Sequence, residues 1–212
     1  MSEILALSGN NPFAVFGGSF NPPGLHHIAL ARFLAQRFAS LRLVPCGFRN
    51  DKVRQDNDWM DSGLRRQIVD LAFRPLIVEL APLGLNIEID YRDLETNRFS
   101  ATAELAELYR QDGTPHFVVG ADLVIGGATG QSAIQSQWYQ GQSIWQELHW
   151  ICLERPGFPL LAADLPPKCT VAVCNIEGSS SAIRQRLRQG KSIAGLVSPE
   201  IEAILLAQRA FL

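Results

Sequence analysis

A chain of 212 residues that is 47% hydrophobic and 19% charged is long enough to bury a substantial core and too apolar to be disordered. Its 19 Lys and Arg against 21 Asp and Glu leave a formal net charge of -2, which excludes a global basic field and predicts no nucleic-acid partner. The four cysteines, Cys46, Cys152, Cys169 and Cys174, form no C-x-x-C pair, no basic n-region precedes an apolar leader, and no stretch reaches the ~20 apolar residues of a membrane span; these features predict reduced thiols, a cytoplasmic location and no membrane partner.

Residues 13–16 form a short apolar run suited to a buried strand, and Gly17-Gly18 allows a sharp exit from it. Ile28, Ala31, Leu34 and Ala35 then share one face at helical spacing, so Ser19-Phe20-Asn21-Pro22-Pro23-Gly24-Leu25-His26-His27 reads as a loop entering a helix. A second strand is predicted at 41–45, a polar loop at 47–58, a helix at 62–73 and a third strand at 85–89. A helix follows at 101–111 and a fourth strand at 115–120, ending at Gly120-Ala121-Asp122. The Gly, Ser and Gln-rich segment 126–142 reads as a mobile loop around one short helix, before a helix that closes at 145–148. Strands at 149–153 and 170–174, and helices at 181–189 and 199–211, complete the pattern. Strands separated by helix-length segments imply right-handed crossovers. The predicted fold is α/β: a Rossmann-like, doubly wound parallel sheet of about five to six strands with helices on both faces, in a single domain over 1–212.

In such a sheet ligands bind beyond the carboxyl ends of the strands, where Gly17-Gly18, Gly120-Ala121-Asp122 and Ser179-Ser180-Ser181 would meet. A Gly-rich loop entering a helix offers unpaired N–H groups and a positive dipole end, which suit phosphate, and His26 and His27 stand at that mouth. Ser179, Ser180 and Ser181 open another helix, with Arg184 one turn in; as a bland alternative they are an over-supplied N-cap, and as a site they hold an anion by hydroxyl, N–H and guanidinium. Gly190-Lys191-Ser192 follows a helix rather than a strand and is a helix stop, not a phosphate loop.

With both helix mouths in view, the chain resembles the nicotinate/nicotinamide mononucleotide adenylyltransferases, within the wider nucleotidyltransferases that carry G-G-[ST]-F-[DN]-P-x-H-x-G-H. Gly17-Gly18-Ser19-Phe20-Asn21-Pro22 matches the opening of that motif, His27 its last histidine, and Ser179 to Arg184 the family's I-S-S-T-x-I-R. Val44-Pro45 followed by Lys52 is similar to V-P…H-K, Arg65 or Arg66 stands where a helix arginine is expected, and Ser100-Ala101-Thr102 resembles S-Y-T. Gly120-Ala121-Asp122, Trp145-Gln146-Glu147-Leu148, Arg155-Pro156-Gly157-Phe158 and Leu196-Val197-Ser198-Pro199 resemble G-A-D, W-x-E-L, R-P-G-[YFW] and the L-V-P of the last helix.

The resemblance implies transfer of AMP from ATP to a pyridine mononucleotide with release of pyrophosphate, ATP bringing Mg²⁺. It implies that His27, Lys52 and Arg184 contact phosphates, with His26 a substitute contact, and that Ser179, Ser180 and Ser181 hold the β- and γ-phosphates and the adenine edge. Gly17, Gly18, Ser19 and Phe20 would let the nucleotides approach the sheet; Gly120 and Asp122 would border the adenosine ribose or the phosphates; residues 178–212 would complete the ATP site. Partners are then small nucleotides, with a homo-oligomer left open. The chain departs from the motif at its centre, where His-x-Gly-His reads Gly24-Leu25-His26-His27. Either His26 replaces the missing imidazole, or it fills the space a nucleotide needs and the chain is an impaired binding homologue with a sensor or regulatory role. A second departure is the insertion at 123–144, between Asp122 and Trp145; Trp138 and Tyr139 within it, and Trp145 at its end, are either ring-stacking or packing residues.

Overall fold

The computed structural model describes residues 7–49, 59–154 and 159–212. Six strands form one sheet: β1 (Pro12–Gly18), β2 (Ser40–Pro45), β3 (Asn86–Ile89), β4 (Thr114–Gly120), β5 (His149–Glu154) and β6 (Cys169–Val173). Every pairing is parallel and the spatial order is β3-β2-β1-β4-β5-β6, so the winding reverses at β1, which pairs with β2 on one side and β4 on the other. That is the doubly wound Rossmann-type order, with its switch point between β1 and β4.

Strand alternation assigns β1 to two cores. Ala14 and Phe16 join Leu41, Leu43, Ile151 and Leu153 under α1 (Leu25–Phe38), α2 (Ser62–Leu80), α7 (Ser180–Arg188) and α8 (Pro199–Ala207). Phe13 and Val15 join Val44, Phe117, Val119 and Trp150 under α4 (Thr102–Tyr109) and α6 (Gly141–Glu147). Ile183, Leu187, Ile193, Val197, Ile201 and Leu205 share the first core, so the segment from 178 onward packs on the same layer as α1 and α2. Among the described residues, no helix is long and apolar enough to cross a membrane.

Three expectations change. The helix expected to stop at 73 continues to Leu80 through Pro75. Pro75 is exposed, and burial of Leu76 and Leu80 outweighs the one hydrogen bond the proline removes. The last helix ends at Ala207 rather than 211, because Arg209 (φ 48°) and Phe211 (φ 67°) are left-handed. The segment 126–142 is not one short helix in a loop: it holds a 3₁₀ turn at Gly127–Thr129, α5 (Ala133–Gln137) and the start of α6. Gly127 and Gly141 serve close backbone approach, since a Cβ would lie 2.3 Å from the carbonyl of Asp164 and 2.1 Å from that of Ile134, Gly126 and Gly130 take left-handed turns, and the buried Ser132 hydroxyl caps α5. A short helix α3 (Arg92–Thr96), not expected, follows β3.

Candidate functional site

β1 ends at the switch point in Gly17-Gly18-Ser19, and two cavities open there. The smaller, about 250 Å³, is bounded by Gly18, Ser19, Phe20, Asn21, His27, Trp59, Ser180, Ser181 and Arg184. The larger, about 490 Å³, shares Gly18 and Ser19 and continues past Gly17 over the carboxyl ends of β2 and β4. A Cβ on Gly17 would meet only the Val44 carbonyl, at 4.0 Å, so this glycine keeps the cavity floor open. A shallower depression of about 560 Å³ between α4 and α6 lies off this sheet edge and carries three glutamates, Glu104, Glu107 and Glu147. It brings together none of the predicted site residues.

The turn out of β1 is held by packing. Phe20 is left-handed (φ 42°), a strained conformation for an aromatic residue, and its buried ring is wedged against Phe16, Phe73 and His27 at centroid distances of 5.5, 5.2 and 5.1 Å. The Asn21–Pro22 peptide is cis, and the buried Asn21 Oδ1 accepts the N–H of Met60 at 3.1 Å. His27, at the third position of α1, reaches back so that its Nδ1 accepts the N–H of Gly24 at 3.1 Å. A backbone N–H can only donate, so the neutral ring carries its proton on Nε2, a hydrogen-bond donor.

Both helix mouths are partly spent on the protein itself. At α1, the N–H of Leu25 donates to the Leu196 carbonyl at 2.8 Å and that of Gly24 to His27, so this mouth offers phosphate fewer donors than its Gly-rich approach suggests. At α7, Ser179 is the N-cap and accepts the N–H of Ala182 at 3.3 Å; it does not border the cavity. Ser180 donates to the Pro22 carbonyl at 2.8 Å, and Arg184 to the Asn21 carbonyl at 2.8 Å and Ser181 Oγ at 3.1 Å. These contacts clamp α7 to the β1 turn. The start of α7 and the guanidinium of Arg184 border the cavity, and N–H groups of both kinds are chemically suited to an anion.

His26 occupies the space in front of Gly24. A Cβ on Gly24 would lie 2.7 Å from both Cε1 and Nδ1 of His26, while the ring stacks on His27 at a centroid distance of 3.9 Å and its root lies against Gly178. Gly24 itself is extended (φ −100°, ψ 174°), a conformation open to any residue. What crowds a side chain at position 24 is therefore the imidazole of residue 26, together with Ile183 Cδ1 at 2.9 Å.

The larger cavity has apolar walls, among them Val15, Val44, Leu105 and Phe117, with Phe99, Trp138 and Tyr139 as its exposed or half-buried rings. Its Asp93 is 3% exposed and accepts the N–H and hydroxyl of Ser100 at 2.8 and 2.6 Å, which fixes the Ser100 to Thr102 wall. Between the cavities lies Arg65, fully buried, donating to the Cys46 carbonyl and stacked 4.5 Å over Trp59; burial lowers its pKa. Arg66 instead faces out, pairing with Glu95, so of the two it is Arg65 that packs against the cavity residues Cys46 and Trp59, while bordering neither cavity itself.

Of the sequence-predicted residues, the fold brings Gly17, Gly18, Ser19, Phe20, His27, Ser180, Ser181 and Arg184 to the two cavities. Gly120 is buried at the end of β4, and Asp122, in the turn that follows, is exposed and borders neither cavity. Lys52 and Arg155-Pro156-Gly157-Phe158 lie outside the described residues. Trp145 is core packing, 3% exposed, whereas Trp138 and Tyr139 border the larger cavity. Arg49, Trp59, Asp93 and Phe99 were not singled out from sequence; only their placement near the expected phosphate loop and the S-Y-T-like segment hinted at them.

The sequence model of the cytidylyltransferase-like family matches residues 15–186, from β1 to α7. The chain belongs to that family. The nicotinate-nucleotide adenylyltransferase of Bacillus subtilis is 24% identical over 200 residues, spanning 89% of this chain and 92% of its own. A probable nicotinate-nucleotide adenylyltransferase of Bacteroides fragilis is 28% identical over 203 residues, spanning 92% of this chain and 90% of its own. In three dimensions the chain is similar to the Plasmodium falciparum nicotinic acid mononucleotide adenylyltransferase complexed with NaAD, with a TM-score of 0.71 at 19% identity over 94% of this chain and 97% of that one. The same Plasmodium enzyme complexed with APC gives a TM-score of 0.67 at 18% identity, over 94% and 96%. These two establish a shared fold, and the family resemblance read from the glycine and serine motifs holds along the chain.

Proposed function

We propose that this cytidylyltransferase-like protein transfers AMP from ATP to nicotinate mononucleotide or a closely related pyridine mononucleotide, releasing pyrophosphate, as a step of NAD biosynthesis in the cytoplasm. The observation that carries the reading is the pair of cavities meeting at Gly18 and Ser19, one bordered by anion-binding groups and one by apolar and aromatic walls. A donor triphosphate in the smaller and an acceptor base in the larger bring the acceptor phosphate to the α-phosphorus across the β1 turn. The names of the relatives support the same choice of substrates.

An acceptor phosphate oxygen forms the new bond to the α-phosphorus while the bond to pyrophosphate breaks, with no covalent enzyme intermediate. Catalysis is positioning and charge stabilisation. The Nε2–H of His27 donates to a phosphate oxygen, and Arg184 with the N–H groups at the start of α7 holds the leaving pyrophosphate. His26 supplies the imidazole that position 24 lacks, and Lys52 adds positive charge to the phosphates. The described lining of the smaller cavity carries no carboxylate, a donor set suited to phosphate oxygens rather than to a bare cation, so Mg²⁺ enters with ATP and neutralises charge on its phosphates.

The test is pyrophosphate release from Mg-ATP with nicotinate mononucleotide, nicotinamide mononucleotide and phosphopantetheine as acceptors. Turnover of a pyridine mononucleotide is expected; no turnover with any of the three would sink the proposal. ATP binding without turnover would favour the impaired homologue instead.

A further inference from the structure

The sheet has two edges, and their surfaces differ. β3 shows charge to solvent: Glu88 is exposed beside the exposed Asn86 and pairs with Arg42. β6, at the other edge, carries two valines in the open, Val171 at 38% and Val173 at 58% exposure. Charge on an edge strand keeps other strands away, whereas an apolar, uncharged edge is a template for pairing. The backbone of β6 has a definite outer side. The Lys168 carbonyl accepts the N–H of Trp150 at 2.9 Å and the Cys174 N–H donates to the Glu154 carbonyl at 3.0 Å, so the even-numbered residues turn their backbone groups to β5. By strand alternation Cys169, Val171 and Val173 turn theirs to the open edge, where no backbone partner meets them among the described residues. Ala172 and Cys174 are buried in the first core, and the valines project from the opposite face. Pro166-Pro167 ends the ladder on the near side of the strand.

We propose that β6 is the contact by which two copies of this chain join, antiparallel about a two-fold axis through Val171, so that two six-stranded sheets become one. Its sequence is its own complement. The outward run Cys169-Val171-Val173 is apolar and reads alike in both directions, as an isologous contact requires. Within the strand, only an axis at Val171 pairs all of these residues: Val171 meets its own copy and Cys169 meets Val173 of the other chain, each exchanging N–H and C=O. This register sets Lys168 opposite Cys174 rather than opposite its own copy, so no like charges face each other. A ladder of five residues is a small interface, so the association is weak and depends on concentration. The inference stands apart from the proposed function, and its test needs no turnover.

The experiment is sedimentation equilibrium of the full chain over a roughly hundredfold range of concentration, where a monomer–dimer equilibrium with a micromolar Kd is expected. Val171→Lys sets two lysines against each other at the axis and should raise Kd at least about tenfold, and Val171→Glu should do the same. Mixed in equal amounts, the two variants place Lys opposite Glu and should return to within about threefold of the wild-type Kd. That rescue occurs only if residue 171 faces its own copy. A wild type that stays monomeric throughout overturns the proposal, as does a dimer indifferent to both substitutions, or one that both weaken without rescue on mixing. Position 171 is exposed, so both variants should melt close to the wild type. If either folds poorly, hydrogen exchange of the wild type decides alone: the amides of Cys169, Val171 and Val173 should gain protection as concentration rises, and β6 amides that gain none overturn the proposal.

Discussion

The imidazole of His26 occupies the space that a side chain at position 24 would enter, and exchanging the two residues tests whether it also does that side chain's work. Adding a Cβ to Gly24 brings it within 2.7 Å of His26 and 2.9 Å of Ile183 Cδ1, and a Cβ on Gly178 would be 2.3 to 2.5 Å from the root of the same ring. His26 thus has little room to retreat toward the loop before α7. Gly24→His alone should cost about 1–3 kcal/mol of overpacking, which lowers the melting temperature by roughly 2–12 °C in a chain of this size. His26→Gly alone clears the space in front of position 24 but places a glycine in the first turn of α1, at about 0.5–1 kcal/mol, and under the proposed function it removes one donor from the phosphates, which should lower kcat/KM about 10- to 100-fold. The double exchange restores an imidazole from position 24 in backbone geometry that already permits it. It should melt above Gly24→His and recover at least about tenfold of the lost kcat/KM, a coupling within the usual 0.5–3 kcal/mol for residues in contact. The assay is a double-mutant cycle on pyrophosphate release and on thermal melts. If the two substitutions simply add, in stability and in rate, the imidazoles do not share a place and the reasoning fails.

Gly47→Ala should destabilise the protein by more than an ordinary surface change, because the new Cβ would sit 2.1 Å from the carbonyl oxygen of Arg98, a backbone atom with nowhere to move. A melt within about 1 °C of wild type would contradict it. Asp93→Ala leaves the Ser100 N–H and hydroxyl without their acceptor at a cost of about 1–3 kcal/mol, and should raise KM for the acceptor but not for ATP; equal rises in both would show that the wall is not acceptor-specific. On the opposite edge of the sheet, the rings of His116 and His149 lie 4.7 Å apart at a 45° tilt, and burial lowers both pKa values, with Lys168 lowering that of His149 further. Their neutral forms are favoured by folding, so stability is full above the unfolded value of about 6.5 and falls as the pH drops through the folded values. His116→Gln should flatten the decline in melting temperature between about pH 7 and 5; a wild-type melt that does not decline over that range would refute it.

Much of the fold was legible because it is written in local periodicity. The apolar run at 13–16, the glycines after it and the alternating helix faces predict β1, its turn and α1 without knowledge of any partner. Pro75 shows the limit: a local breaker predicted a stop, but Leu76 and Leu80 had a core to reach, and tertiary burial overrode the signal. The site divides in the same way. Ser179, Ser180 and Ser181 are equivalent as a motif, yet one turn of helix makes the first a cap and directs the other two to the cavity and the β1 turn. Trp138 and Trp145 are seven residues apart, one inside the insertion and one just after it, and only packing separates the cavity ring from the core ring. By itself, the sequence determined the class of fold, the switch-point edge and the placing of two helix mouths on it, since each follows from residues adjacent along the chain. Only the tertiary structure decided that Arg49, Phe99 and Asp93 border one cavity, that Arg65 and not Arg66 is buried against Cys46 and Trp59, and that His26 fills the space a side chain at Gly24 would enter. Those relations join segments far apart in sequence or rings meeting across a turn, and they exist only once the strands have registered and the helices have closed over them.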